Sequence, residues 1–256
     1  MLKRKNFRLS GRLSGLSEVE NSPSLIVALD VQTQEEARSW VDRLFPKVKL
    51  FKIGSTLFTR CGPKAVEEVH SKGVEIFLDL KFHDIPNTVA ACCRTAVDLG
   101  VFMVNLHLSG GEKVVRESVK ALQEESVRKK KRKPLLLGIT ILTHLGKEEL
   151  ATMGWNFSET VEEEVGRLAS LGKGWGLDGI VCSPQEIAAV RSSCGRDFCI
   201  VSPGIRPAGT LLHDQKRTLT PREAVQQGAD FIVVGRPILE SKDPISMVDE
   251  ILEEIA

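Results

Sequence analysis

Tyrosine is absent from the 256 residues, so no mechanism proposed for this chain can use a phenol. Aromatic residues of every kind make up 5%. No apolar run approaches the roughly 18 residues a membrane-spanning helix needs, so the sequence implies no membrane partner. The basic start is not followed by the apolar segment, roughly 7–15 residues long, of a secretory signal. The six cysteines (Cys61, Cys92, Cys93, Cys182, Cys194, Cys199) contain no Cys-x-x-Cys pair and no zinc-ligand spacing. They read as reduced thilos of a cytoplasmic protein with no bound metal. An excess of one charge is also lacking, with 35 basic against 34 acidic groups and a net of +1.

That balance conceals an uneven distribution. Residues 1–24 hold five basic groups and two acidic ones, and residues 128–133 (RKKKRK) are all basic. Outside these segments 24 basic groups face 32 acidic ones. A nucleic-acid binder would instead spread basic charge over one face of its fold, so no nucleic-acid partner is expected. Residues 1–24 contain five serines and no sustained periodicity, and read as a flexible basic extension. The 128–133 run reads as a solvated loop away from the chemistry.

What is present fits one domain. A content of 42% hydrophobic and 27% charged residues is that of a folded globular chain. Eight short apolar runs begin at Leu25, Leu50, Ile76, Met103, Leu135, Gly179, Cys199 and Phe231. They are continuous rather than alternating, as expected for parallel strands buried on both faces. Amphipathic stretches separate them, among them Glu35–Phe45, Lys64–Ser71, Thr88–Leu99, Glu112–Val127 and Val161–Leu171. Thr220-Pro221-Arg222-Glu223 and Ser183-Pro184-Gln185-Glu186 carry the pattern of helix-opening capping boxes, and Asp243-Pro244 supplies another start. Gly73, Gly100, Gly172 and Gly228 read as helix ends. Eight right-handed strand–helix units predict an α/β fold, a closed (β/α)8 TIM barrel over residues 25–256, and such a barrel takes about 250 residues. An open doubly wound sheet is the alternative, but it usually has fewer strands.

In a barrel the chemistry sits at the strand C-termini and in the loops that follow. That rule selects Asp30, Lys52, Asp79, Lys81, Asp84, Asn105, His107, Thr140, Thr143, Ser183, Arg206 and the Gly235-Arg236 pair. Period two puts Asp79 and Lys81 on one side of the third strand, with Lys52 on the neighbouring strand. Buried charges are tolerated when they alternate and pair, so a plain ion-pair brace is the competing interpretation. At a barrel mouth the same array would keep lysines protonated and carboxylates ionised. It suits a reaction that builds negative charge on carbon and then protonates it. Pro203-Gly204-Ile205-Arg206 after the seventh strand and Gly235-Arg236-Pro237 after the eighth fall where barrels often hold phosphate. Gln215 lies in the long 206–219 loop, placed to fold over such a ligand. His70, His144 and His213 read as ordinary surface or loop residues, and His107 has no companions suggesting a metal.

The stretch Asp79-Leu80-Lys81-Phe82-His83-Asp84-Ile85-Pro86-Asn87-Thr88 closely resembles the active-site signature of the orotidine 5′-phosphate decarboxylase family, most of all its bacterial branch. Supporting segments run in order: Leu29-Asp30, Phe51-Lys52-Ile53-Gly54, the 139–143 segment, Ser202 to Arg206, Asp214 to Arg217 and Gly235 to Ile238. The resemblance spans about residues 24–255. It implies cofactor-free and metal-free conversion of orotidine 5′-phosphate to uridine 5′-phosphate (UMP), the last step of de novo pyrimidine nucleotide synthesis. It further implies that Lys81 protonates C6, that Asp79 lies beside the departing carboxylate, and that Lys52 orders the network and touches the ribose. By the same resemblance Asp30 would bind a ribose hydroxyl and Thr143 the nucleotide near its base. Arg206, Gln215, Gly235 and Arg236 would hold the phosphate. Asp84, with Ile85 and Thr88, would enter the site of a partner subunit, making a homodimer.

Two rivals remain at this level. Mg²⁺-dependent sugar-phosphate decarboxylases or aldolases of the same barrel group share Asp-x-Lys-x-x-Asp, but place a carboxylate ligand where this chain has Lys52. A barrel retained as a binding or scaffold protein would have no need of the complete charged set.

Overall fold

The computed structural model describes residues 24–157, 160–207 and 218–256. The eight apolar runs form Ser24–Ala28 (β1), Leu50–Gly54 (β2), Glu75–Phe82 (β3), Met103–His107 (β4), Leu135–Ile139 (β5), Gly179–Val181 (β6), Cys199–Ser202 (β7) and Phe231–Val234 (β8). All neighbours pair in parallel and β8 returns to β1, closing the barrel. The helices are Gln34–Leu44 (α1), Ser55–Cys61 (α2), Lys64–His70 (α3), Pro86–Leu99 (α4), Gly111–Lys129 (α5), Lys147–Thr152 (α6), Val161–Trp175 (α7), Ile187–Cys194 (α8), Pro221–Gln227 (α9), Arg236–Leu239 (α10) and Pro244–Ile255 (α11). Two helices fill each of the stretches after β2, β5 and β8.

The barrel interior is built in layers. Ile26, Leu50, Phe77, Met103, Leu137, Val201 and Phe231 pack against one another as one buried cluster. Two residues further along β2, β3 and β4, period two brings Lys52, Asp79 and Asn105 to the same inward side. Hydrophobic packing thus plugs the barrel beneath the layer where charge appears. The outward residues of the strands join the helices in a second, larger apolar cluster.

Capping follows the sequence. The Thr220 hydroxyl accepts from the Glu223 N–H at 3.3 Å, and the Glu223 carboxylate accepts from the Thr220 N–H at 2.9 Å. The Asp243 carboxylate accepts from the Ser246 N–H at 3.1 Å. Ser183-Pro184-Gln185-Glu186 opens a single 3₁₀ turn ahead of α8 rather than the helix itself. Gly172 does not end a helix. α7 continues to Trp175 and stops at Gly176, whose φ of 103° suits glycine. A Cβ on Gly172 would meet Leu177 Cδ1 at 2.8 Å, so that glycine serves close packing. The apolar run of the fifth strand is also cut short. β5 stops at Ile139, and a turn follows in which the Leu145 N–H donates to the Leu142 carbonyl.

The basic 128–133 run lies at the N-terminal rim, away from the strand ends that carry function, but it is paired rather than merely solvated. Arg128 and Lys129 belong to the last turn of α5. Arg132 forks onto Glu75 at the start of β3 at 2.8 and 2.5 Å, and Lys133 reaches Asp178 just before β6 at 2.6 Å. Residues 1–23 lie outside the described residues, and Ser24, at the edge of the expected extension, opens β1. Among the described residues no helix is long and apolar enough to cross a membrane.

Candidate active site

A cavity of about 230 Å³ opens at the C-terminal mouth of the barrel. Its wall includes Asp30, Lys52, Asp79, Lys81, Thr143, Arg206, Gly235 and Arg236, each selected from the sequence. Apolar surface from Phe77, Ile139, Ile141, Leu142, Val181 and Val233 completes much of it. The arrangement is an apolar pocket with convergent charges, the ordinary form of a small-molecule site.

The charges form a chain. Asp30 Oδ1 lies 3.4 Å from Lys52 Nζ, which lies 3.3 Å from Asp79 Oδ2. Asp79 Oδ1 accepts from Lys81 Nζ at 2.6 Å. Backbone order explains the meeting, because β2 and β3 are hydrogen-bonded neighbours and Asp30 follows β1 on the other side of β2. Gly54 leaves room for the Lys52 ammonium, since a Cβ there would press on Nζ at 3.0 Å.

Burial opposes ionisation of Asp79, yet the Lys52 and Lys81 ammoniums and the Asn105 amide outweigh it and hold the Asp79 pKa below the ordinary carboxylate value. Burial likewise opposes charge on Lys52, but Asp79 and Asp30 outweigh it and raise its pKa. Both shifts favour the charged forms of Asp79 and Lys52 at neutral pH. His107 is pushed the other way, by burial and by His83 and Lys81 nearby, so its neutral form is favoured. The His83 and His107 rings lie 5.0 Å apart.

The loops after β7 and β8 supply the second half. Gly204 has a φ of 83°, a conformation that favours glycine. Arg206 is only 6% exposed. The base of its loop is pinned where the Arg206 N–H donates to the Leu219 carbonyl at 2.9 Å. Gly235 packs tightly, because a Cβ would sit 3.3 Å from Ala28 Cβ and 3.4 Å from Asp30 Oδ2. Arg236 follows it as the first residue of α10. Gln215 lies outside the described residues.

Asp84, Ile85 and Thr88 stand apart from this cavity. All three are exposed, Ile85 by 66%, and the Asp84 carboxylate accepts from the Ile85 N–H at 2.6 Å. Sequence reasoning placed Asn105 on the fourth strand but gave it no role. It is fully buried, donates from Nδ2 to Asp79 Oδ1 at 2.6 Å, and accepts at Oδ1 from the Lys81 N–H at 2.8 Å. The available signal was one amide on the inward side of the fourth strand, between Met103 and His107.

Comparison with known proteins places this geometry. Residues 23–251 match the model of the "Orotidine 5'-phosphate decarboxylase / HUMPS family". The orotidine 5′-phosphate decarboxylase of Syntrophotalea carbinolica is 50% identical over 238 residues, covering 93% of this chain and 97% of that protein. That of Coxiella burnetii is 49% identical over 233 residues, covering 91% and 97%. The crystal structure of orotidine 5′-phosphate decarboxylase from Lactobacillus acidophilus superposes with a TM-score of 0.79 at 33% identity, covering 92% of this chain and 99% of that one. With the closed barrel, the paired charges at its mouth and matches that run nearly end to end, this chain belongs to the orotidine 5′-phosphate decarboxylase family.

Proposed function

We propose that this chain decarboxylates orotidine 5′-phosphate to UMP, with Lys81 as the proton donor. The observation that carries the reading is the Lys52–Asp79–Lys81 array at the cavity wall, opposite two buried or half-buried arginines on the phosphate-side loops. The bond between C6 and the carboxylate breaks, carbon dioxide leaves, and the electron pair stays on C6. A fixed ammonium stabilises that poorly delocalised charge without the reorganisation that water would require. Lys81 Nζ then transfers a proton to C6 and recovers one from solvent. Asp79 positions Lys81 and lies beside the departing carboxylate, where its negative charge favours departure over retention.

The remaining roles follow the same division. Asp30 and Lys52 take the ribose hydroxyls, Thr143 the nucleotide near its base, and Arg206, Arg236, the Gly235 backbone and Gln215 the phosphate. Binding energy gathered at the phosphate, away from the reacting bond, is available to lower the barrier as well as to hold substrate. Asp84, Ile85 and Thr88 act across a dimer interface, and the exposed apolar Ile85 beside Asp84 supports that placement. The barrel, which begins at Ser24, carries the activity in the cytoplasm, with neither nucleic acid nor membrane as partner.

The Mg²⁺-dependent rival needs a carboxylate at the position of Lys52. An ammonium 3.3 Å from Asp79 would repel a divalent cation there. The deciding experiment follows the ultraviolet absorbance of orotidine 5′-phosphate with and without EDTA. Conversion to UMP at the same rate in both supports the reading. No conversion, or loss with EDTA, overturns it.

A further inference from the structure

β3 carries an irregularity that the rest of the barrel does not need. Leu78 pairs with Val104 and Phe82 with Leu106, so three residues of β3 (Asp79, Leu80, Lys81) face the single residue Asn105 of β4. Within this bulge Lys81 takes a φ of 51°, a left-handed conformation that a residue with a Cβ adopts only when its surroundings impose it. The bulge also removes the regular strand partner of the Lys81 N–H. Asn105 Oδ1 takes that N–H at 2.8 Å, while its Nδ2 donates to Asp79 Oδ1 at 2.6 Å. The two partners dictate the amide's orientation, because a backbone N–H only donates and a carboxylate only accepts. A side chain of this size serves both ends at once only if it carries a donor and an acceptor together, as an amide does at neutral pH. Leucine would offer neither group, and aspartate would set a second carboxylate against Asp79. Asn105 is 0% exposed and is not part of the cavity wall.

We infer that Asn105 is a positioning residue for the decarboxylation: its amide stands in for the missing strand partner at the bulge and locks the Lys81 backbone and the Asp79 carboxylate into one geometry. This rests on the proposed role of Lys81. Asp79 is held at three points, with Oδ1 shared by Lys81 and Asn105 and Oδ2 facing Lys52. Without the amide, Lys81 can relax toward ordinary strand geometry and carry its ammonium away from the reacting carbon.

The test compares Asn105→Leu and Asn105→Asp with the unaltered full-length enzyme, measuring kcat, KM and the dissociation constant for UMP. In Asn105→Leu, kcat should fall about 100-fold while UMP affinity stays within about threefold, because a small misplacement of a reacting group is costly and the side chain does not touch ligand. In Asn105→Asp, kcat should rise as the pH is lowered from about 8 to about 6, in contrast to the unaltered enzyme. One proton shared between the two facing carboxyls restores a donor toward Asp79. The titratable groups facing this pair are Lys52, Lys81 and, beyond them, Asp30 and His107. An unchanged kcat in Asn105→Leu, or a loss of UMP affinity equal to the loss of kcat, overturns the inference. Should Asn105→Leu not fold, an unaltered pH profile in Asn105→Asp overturns it alone. Failure of the Lys81 assignment is separate, and appears as turnover by Lys81→Ala.

Discussion

Lys81 and its neighbours concentrate the chemistry into a few atoms, and each is open to single substitution. On the proposed mechanism Lys81→Ala should abolish turnover while UMP still binds, since the ammonium would act on C6 and the phosphate would be held elsewhere. Calorimetric UMP titration beside the absorbance assay checks both halves, and near-normal turnover would remove Lys81 from its role. Arg236→Ala should raise KM about tenfold or more, the usual consequence of losing one charge-assisted hydrogen bond. An unchanged KM would argue against Arg236 as a phosphate ligand. The paired charges also predict a pH dependence of stability. The Asp79 pKa is lowered by folding, so its contribution is present above about pH 4 and is lost as the pH falls through the folded value. The Lys52 pKa is raised, so its contribution holds below about pH 10 and is lost as the pH rises through the folded value. Urea midpoints at about pH 3 and about pH 7 should therefore differ less in Asp79→Ala than in the unaltered protein.

At the scale of elements, the opposite rim of the barrel is held by contacts that never approach the cavity. Arg191 at the end of α8 donates to the carbonyls of Gly228, Gly195 and Phe198, and to the Asp230 carboxylate before β8 at 2.5 Å. It ties α8 to the segments that lead into β7 and β8. Asp230 also accepts from the Ile200 N–H at 2.7 Å. Arg191→Ala should lower stability by on the order of 1–2 kcal/mol, the cost of leaving several carbonyls and a partly exposed carboxylate without their donor. The activity per folded molecule should be unchanged, as read by denaturant titration beside steady-state kinetics. Arg191 thus marks the division of labour along each strand, with stability anchored at the N-terminal rim and chemistry at the C-terminal mouth.

At the scale of the whole molecule, the proposed dimer makes a prediction about the subunit that would receive Asp84. If Asp84 completes a neighbouring site, Lys81→Ala and Asp84→Ala dimers, each nearly inactive, should regain activity when unfolded and refolded together. One of the two sites in a mixed dimer then has an intact Lys81 and an intact Asp84 from the other chain. No recovery from a mixture shown to contain mixed dimers would confine Asp84 to its own subunit. The exposure of Asp84, Ile85 and Thr88, set against the enclosure of Asp79 and Lys81 only a few residues earlier, is the feature that makes this experiment informative.

The sequence by itself determined the barrel. Eight continuous apolar runs, the caps at Thr220 and Asp243, and the spacing of 256 residues left little else for the chain to form, because strand burial and helix capping are local patterns. It also determined which charges meet, since the strand-end rule already put Asp79, Lys81 and Lys52 at one mouth, although Lys81 joins them from within a bulge and not by the regular alternation the sequence implied. The close packing of Leu108 against Gly172, inside α7, was decided by a residue far along the chain. So was the pairing of the 128–133 run with Glu75, Asp98 and Asp178. Above all, the bulge at Lys81 and the amide that holds it belong to the tertiary structure. A left-handed lysine has no local cause in the sequence, and its stabilising partner Asn105 stands 24 residues away on the next strand.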